Sequence, residues 1–126
     1  MNEKFIRGHE AEILVANLLR ENGFIISKMN FHSRYGEIDI IAETRKGIHF
    51  IEVKMRSENA IAKGAEAVDA AKRKKIFLTA AEYIQKSHTE YLQPHFDVAE
   101  LTQVTDTSDN SAYKLRYYPD AFEVNL

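Results

Sequence analysis

The apolar pattern predicts an α/β domain whose elements run helix, three strands, helix, two strands. Three observations carry that prediction. Residues 8–22 place apolar side chains three and four positions apart, the period of an amphipathic helix. Residues 36–56 alternate apolar and charged side chains on both sides of a polar turn, the period of paired strands. Residues 65–87 are a second, Ala-rich helical stretch, and two further β-type runs follow it around a polar turn.

In the first helix the stripe is Ala11, Leu14, Val15, Leu18 and Leu19, and Gly23 supplies the C-terminal stop. Glu12 is the odd member, because Val15, Ala16 and Leu19 lie three, four and seven positions on. A carboxylate beside an apolar stripe is costly unless it is paired or metal-bound. Charged residues are mostly exposed, so spacing alone favours Glu12 at the stripe's edge, reaching solvent.

Residues 24–32 read as the first strand and residues 33–36 as a turn. The hairpin over residues 36–56 organises the rest of the chain. Glu37 and Asp39 alternate with Ile38 and Ile40, and Glu52 and Lys54 alternate with Ile51, Val53 and Met55. Residues 43–47 form the turn, with Gly47 free to take positive φ. If Glu43 pairs with Ile48, then Ile41 faces Phe50, Asp39 faces Glu52 and Glu37 faces Lys54. Directly opposed side chains share a face, so that face carries three carboxylates and one ammonium. Opposed Asp and Glu repel unless a cation lies between them. A register shift of one residue would separate them.

Residues 57–64 read as a polar loop. In the helix over residues 65–87, Val68, Ala71, Ile76, Ala80, Tyr83 and Ile84 are core candidates. Its first half carries the basic block Lys72, Arg73, Lys74 and Lys75. Such a block is either a solvated face or a set of phosphate contacts, and the sequence favours neither. Residues 88–94 are a linker, residues 95–104 a strand, residues 105–111 a turn and residues 112–118 its hairpin partner. Residues 119–126 are placed over the sheet's edge. Asp97, between Phe96 and Val98, reads as a hydrogen-bonded strand residue rather than a site residue, since the sequence offers it no partner.

Composition bounds the function. The 126 residues, 44% hydrophobic and 29% charged, suit one domain with its own core. No apolar run approaches ~20 residues, which predicts no membrane span, and the N-terminus has no signal-peptide apolar region. There is no cysteine, which excludes disulfides and thiolate metal sites. The cytoplasm is the simplest location. A net charge of −2 argues mildly against strong non-specific nucleic-acid binding. The five histidines have no metal-ligand spacing, and no Gly-rich phosphate loop or nucleophile elbow occurs.

Asp39, Glu52 and Lys54 form an Asp…Glu-x-Lys constellation, and the intervening residue puts Glu52 and Lys54 on one face of a strand. Carboxylate oxygens without sulfur or imidazole suit Mg²⁺ or Mn²⁺. Such an ion polarises a phosphodiester and acidifies its bound water. A neighbouring lysine can orient or deprotonate that water, or neutralise charge on the phosphorus. Those parts make a phosphodiesterase. The competing reading is a half-exposed hairpin with a Glu37–Lys54 cross-strand pair contributing ~0.2–1 kcal/mol.

Several blocks together resemble the YraN-like family of bacterial proteins, placed in the PD-(D/E)xK restriction-endonuclease-like superfamily. They are Gly8-x-x-Ala11-Glu12, Asn30, the run from Gly36 to Ala42, Phe50-Ile51-Glu52-Val53-Lys54-x-Arg56, Ala67-Val68 with Lys72-Arg73, and Phe96-Asp97-Val98. The chain is more distantly similar to archaeal Holliday-junction resolvases, which share the order helix Glu, strand Asp, strand Glu-x-Lys. The resemblance implies a restriction-endonuclease-like fold, with a mixed central sheet flanked by both helices and the final hairpin at its far side. It implies Asp39 and Glu52 as metal ligands, Glu12 completing the site and Lys54 as the catalytic lysine. Glu37 matches a family block without an assigned role. The expectation is a Mg²⁺- or Mn²⁺-dependent endonuclease acting on DNA, with branched or recombining DNA as substrate and a homodimer as the assembly. Arg56, Lys72, Arg73, Lys74 and Lys75 are the expected DNA contacts. The rivals on the same fold are a non-cleaving nucleic-acid-binding module and a protein–protein adaptor.

Overall fold

The structure is a computed structural model and describes residues 8–56, 69–104 and 112–123. The element order is α1 (His9–Glu21), β1 (Ile25–Ser33), β2 (Gly36–Thr44), β3 (Gly47–Arg56), α2 (Ala70–Ser87), β4 (Pro94–Val104) and β5 (Ala112–Tyr118). One five-stranded sheet takes the strands in chain order, β1-β2-β3-β4-β5. All neighbours are antiparallel except β3 and β4, which run parallel. The sheet is therefore mixed, as expected, and compatible with a restriction-endonuclease-like fold. The parallel pair needs a crossover, and α2 lies within it.

Each helix covers one face. Ala11, Val15, Ala16 and Leu19 of α1 pack on Ile40, Ala42, Ile51, Ala99 and Leu101. Ile76 and Ala80 of α2 pack on Ile38, Ile41, Ile48, Phe50 and Val98 across the sheet. Fully burying a side chain such as Phe50, 1% exposed, contributes roughly 1.5–3 kcal/mol.

The hairpin register holds through Glu43↔Ile48, Ile41↔Phe50 and Ile40↔Ile51, where the β2–β3 ladder ends. Beyond it the alternation breaks. Ile38 belongs to the α2-side core with Ile41, whereas Ile40 belongs to the α1-side core. On β1, Phe31 and Met29 divide between the two cores in the same way. The residues between, Asn30 and Asp39, sit where both strands change faces, and Asn30 has a left-handed φ of 51°. A strict period of two therefore misplaces Glu37. It pairs with His32 across β1 instead of opposing Lys54, whose ion pair is with Glu52.

Other boundaries shift slightly. Asp69 is extended and its side chain caps α2 by accepting from the Lys72 N–H, so the described helix starts at Ala70. The basic block consequently falls in the first two turns. Predicted helix residues 65–68 and the predicted loop and turn at 57–64 and 105–111 lie outside the described residues. Of the segment predicted over the sheet's edge, residues 119–123 are described, and they follow β4 beyond the end of the β4–β5 ladder. The Ala121 N–H donates to the Phe96 carbonyl, and Phe122 is buried in the α2-side core.

Candidate metal centre

The change of faces at Asn30 and Asp39 builds the site. Once Asp39 leaves the regular pleat, its carboxylate accepts the Val53 N–H at 2.8 Å, in place of further ladder hydrogen bonds between β2 and β3. Asn30 donates to Glu12 at 2.6 Å and to Glu37 at 3.2 Å, tying α1, β1 and β2 together. Glu12, Glu37 and Asp39 present carboxylate oxygens all within 4.8 Å of one another. Glu12 thus does not reach solvent from the stripe's edge; its side chain is 13% exposed. Three oxygens at this spacing, with no sulfur or imidazole among them, could hold a hard divalent cation.

Electrostatics point the same way. Burial, Glu52 and Glu12 together push the Asp39 carboxyl up to about 8, against the Val53 N–H, which pulls it down. Three acidic groups converge with too little positive charge among them. Two histidines stand at the periphery: His9 lies 3.7 Å from Glu12 and His32 3.9 Å from Glu37, and both are mostly exposed.

Glu52, on β3, is close enough to raise Asp39 but is held by lysines. Lys72 Nζ lies 2.5 Å and Lys54 Nζ 3.6 Å from the same Glu52 oxygen. Burial, helped by Lys72, lowers the Lys54 ammonium below the usual lysine range although Glu52 opposes it. For Lys72 burial is the largest single effect and works against the charge, but the hydrogen bond and charge of Glu52, with Lys54 and Asp39, together raise its pKa. An open cavity of about 460 Å³ exposes this arrangement, lined by Glu37, Asp39, Glu52, Lys72 and Lys75 among others.

The predicted residues therefore divide. Glu12, Asp39, Glu52 and Lys54 converge, as the constellation requires. Of the expected DNA contacts, Lys75 lines the cavity and Lys74 is exposed. Arg73 lies over the Phe122 ring at 5.5 Å. Arg56 is ion-paired at 3.1 Å with Glu100, which is 4% exposed. Lys72 points inward onto Glu52. Two further participants emerge, Glu37 in the carboxylate cluster and Asn30 as its organiser. Both stand in the blocks that carry the family resemblance, but an isolated strand pattern assigns neither a role. For Lys72 the only sequence signal was Ile76, a core candidate four positions on; the sequence reading placed Lys72 among the DNA contacts.

Asp97 is a structural residue. It is fully buried and accepts from His49 Nδ1 at 2.7 Å, from the Asp120 N–H at 2.7 Å and from the Tyr117 hydroxyl. Burial works against its charge, but these hydrogen bonds prevail and hold it below the usual carboxylate range. His49 Nε2 meets Thr44 Oγ1 at 2.7 Å, so a neutral ring protonated on Nδ1 satisfies both contacts.

Comparisons with known proteins cover the same residues. The model of the uncharacterised protein family UPF0102 matches residues 11–101, which span Glu12 through Glu100. A UPF0102 protein of Clostridium tetani is 38% identical over 117 residues, 93% of each chain. One of Persephonella marina is 34% identical over 113 residues, 90% of this chain and 97% of that one. One of Nitrosococcus oceani is 31% identical over 119 residues, 94% and 92% of the two chains. On this evidence the chain belongs to the UPF0102 family, the YraN-like family that its motifs resemble.

Proposed function

We propose that this protein is a divalent-metal-dependent phosphodiesterase acting on DNA, with branched or recombining DNA as its substrate. The observation that carries the reading is the convergence of Glu12, Glu37 and Asp39 beside the Glu52–Lys54 pair, with the Asp39 carboxyl pushed up to about 8. Asp39, Glu52 and Glu12 would hold Mg²⁺ or Mn²⁺, with Glu37 beside them. Bound there, the ion would acidify a water and stabilise charge on the phosphate.

The chain's own residues supply the rest. Asn30 keeps Glu12 and Glu37 turned toward Asp39. The Val53 N–H fixes the Asp39 carboxylate. Lys54, with its pKa lowered, is suited to take a proton from the attacking water or to return to charge as negative charge develops. On the first turns of α2, Lys75 can meet a backbone phosphate in the cavity and the exposed Lys74 one outside it. The preference for branched DNA rests on the similarity to resolvases.

The test is cleavage of single-stranded, duplex and four-way-junction DNA with and without Mg²⁺ or Mn²⁺. Glu52→Ala and Lys54→Met should each slow cleavage by about 100-fold or more. Equal trace cleavage by wild type and Glu52→Ala would end the enzymatic claim. The exposure of Lys74 and Lys75 supports a second reading, a module that binds DNA without cutting it. In that case charge reversal at Lys74 and Lys75 abolishes binding, Asp39→Asn leaves it intact, and no cleavage appears with any ion.

A further inference from the structure

Positive charge in the cavity is unevenly placed. Two ammonium groups, from Lys54 and Lys72, share one oxygen of Glu52, at 3.6 Å and 2.5 Å. Glu12, Glu37 and Asp39 have no lysine within ion-pair distance among the described residues; His9 and His32 approach Glu12 and Glu37, and the Lys72 ammonium reaches Asp39 only at longer range. A carboxylate already served by Lys54 from its own strand does not need a second lysine for structure.

The second lysine is also awkwardly placed for its helix. Lys72 is in the first turn of α2, which contains no acidic residue. Cations there oppose the helix dipole, which favours anions. Its ammonium is a donor only, so the side chain cannot cap the free N–H groups there, a task that Asp69 performs. What holds it inward is Glu52. Its side chain is 41% exposed, against 19% for Lys54, so the four-carbon stem has room to swing away without disturbing the core.

We propose that Lys72 is a displaceable counter-ion, which occupies Glu52 while the cation is absent and gives it up to the cation, leaving its ammonium free to meet a substrate phosphate in the same cavity. This rests on the phosphodiesterase reading and adds a regulation of that site. Cation and ammonium compete for one carboxylate, so the chain alone binds the ion weakly. A phosphate in the cavity gives the displaced ammonium a new partner and favours ion binding. By linkage the ion must favour phosphate binding by the same factor. The site would then assemble fully only when metal and nucleic acid are both present. Lys72 acts here as a positioning residue, distinct from Lys54.

The experiment is Mn²⁺ binding followed by the paramagnetic resonance signal of the free ion, on wild type, Lys72→Met, Lys72→Ala and Asp39→Asn. Each is measured with and without a short DNA duplex. Circular dichroism checks the fold, which substitution of a partly exposed side chain should leave unchanged. Without DNA, Lys72→Met and Lys72→Ala should bind Mn²⁺ about tenfold more tightly than wild type, a usual size for coupling between sites. Adding the duplex should tighten Mn²⁺ binding by wild type and leave both Lys72 variants nearly unchanged. If Asp39→Asn loses Mn²⁺ but the Lys72 variants bind it no more tightly than wild type, the counter-ion role is overturned and the metal site stands. DNA tightening Mn²⁺ binding equally in all Lys72 forms overturns the role too. Absence of Mn²⁺ binding to wild type and Lys72 variants alike overturns the counter-ion role and the phosphodiesterase reading together.

Discussion

Asp39 is where the chain's local preferences and its chemistry conflict. Burial and two neighbouring carboxylates keep its folded pKa near 8, far above that of an unfolded Asp. Between about pH 4 and 8 the folded chain therefore binds a proton that the unfolded chain does not, and stability falls as pH rises through that window. A cation needs the ionised form, so its binding expels the proton and strengthens with pH. Asp39→Asn should raise the melting temperature at pH 8 without metal and abolish any increase caused by Mn²⁺. Thermal melts of the two proteins, with and without the ion, check both effects. The placing of Asp39, Glu52 and Lys54 together was legible from the period of the hairpin, whereas spacing favoured an exposed Glu12 and only the family resemblance brought it to the site. Glu37's placing was not legible, because strict alternation carries it across to Lys54, and nothing in the pattern announces a left-handed Asn30.

At the scale of elements, the hairpin was the most readable part, since Gly47 and the alternating runs specify turn and register together. Gly47 does more than turn. It has φ 137°, and a Cβ there would lie 2.1 Å from the Gln93 carbonyl oxygen. The Ile48 N–H donates to that same carbonyl at 2.9 Å, so the linker after α2 is pinned against the start of β3. Gly47→Ala should destabilise the protein by upwards of about 3 kcal/mol, combining backbone strain with a backbone clash. For α2 the prediction is smaller. Asp69→Ala removes the side-chain cap and should cost ~1 kcal/mol. Urea denaturation measures both. The cap was hard to read because an Ala-rich run extends the helical pattern upstream of Asp69, and composition alone does not show where the first turn begins.

The molecule as a whole is held at two ends of its sheet by opposite kinds of carboxylate. Near the β2–β3 turn, Asp97 joins His49, Tyr117 and the Asp120 N–H, linking β3, β4, β5 and the segment beyond. Its lowered pKa contributes stability that is present above about pH 4 and lost as pH falls through the folded value. Removing it leaves buried donors unpaired, so Asp97→Ala should cost about 3–5 kcal/mol, read by denaturant unfolding. Its partners lie 48, 20 and 23 residues away, and no local pattern could connect them. Asp39 has the opposite sign, so the metal-free protein should be most stable in mildly acid solution, with Mg²⁺ shifting the optimum upward. Melting curves across that range, with and without Mg²⁺, check the shift.

The central claim is that this carboxylate cluster is a metal seat. Diffraction from crystals soaked in Mn²⁺ at pH 8, recorded for the anomalous signal of manganese, tests it most directly. The account predicts an anomalous peak coordinated by Asp39, Glu52 and Glu12, with Glu37 adjoining it. Saturating Mn²⁺ with no peak there, or with a peak that Asp39 does not touch, would contradict it.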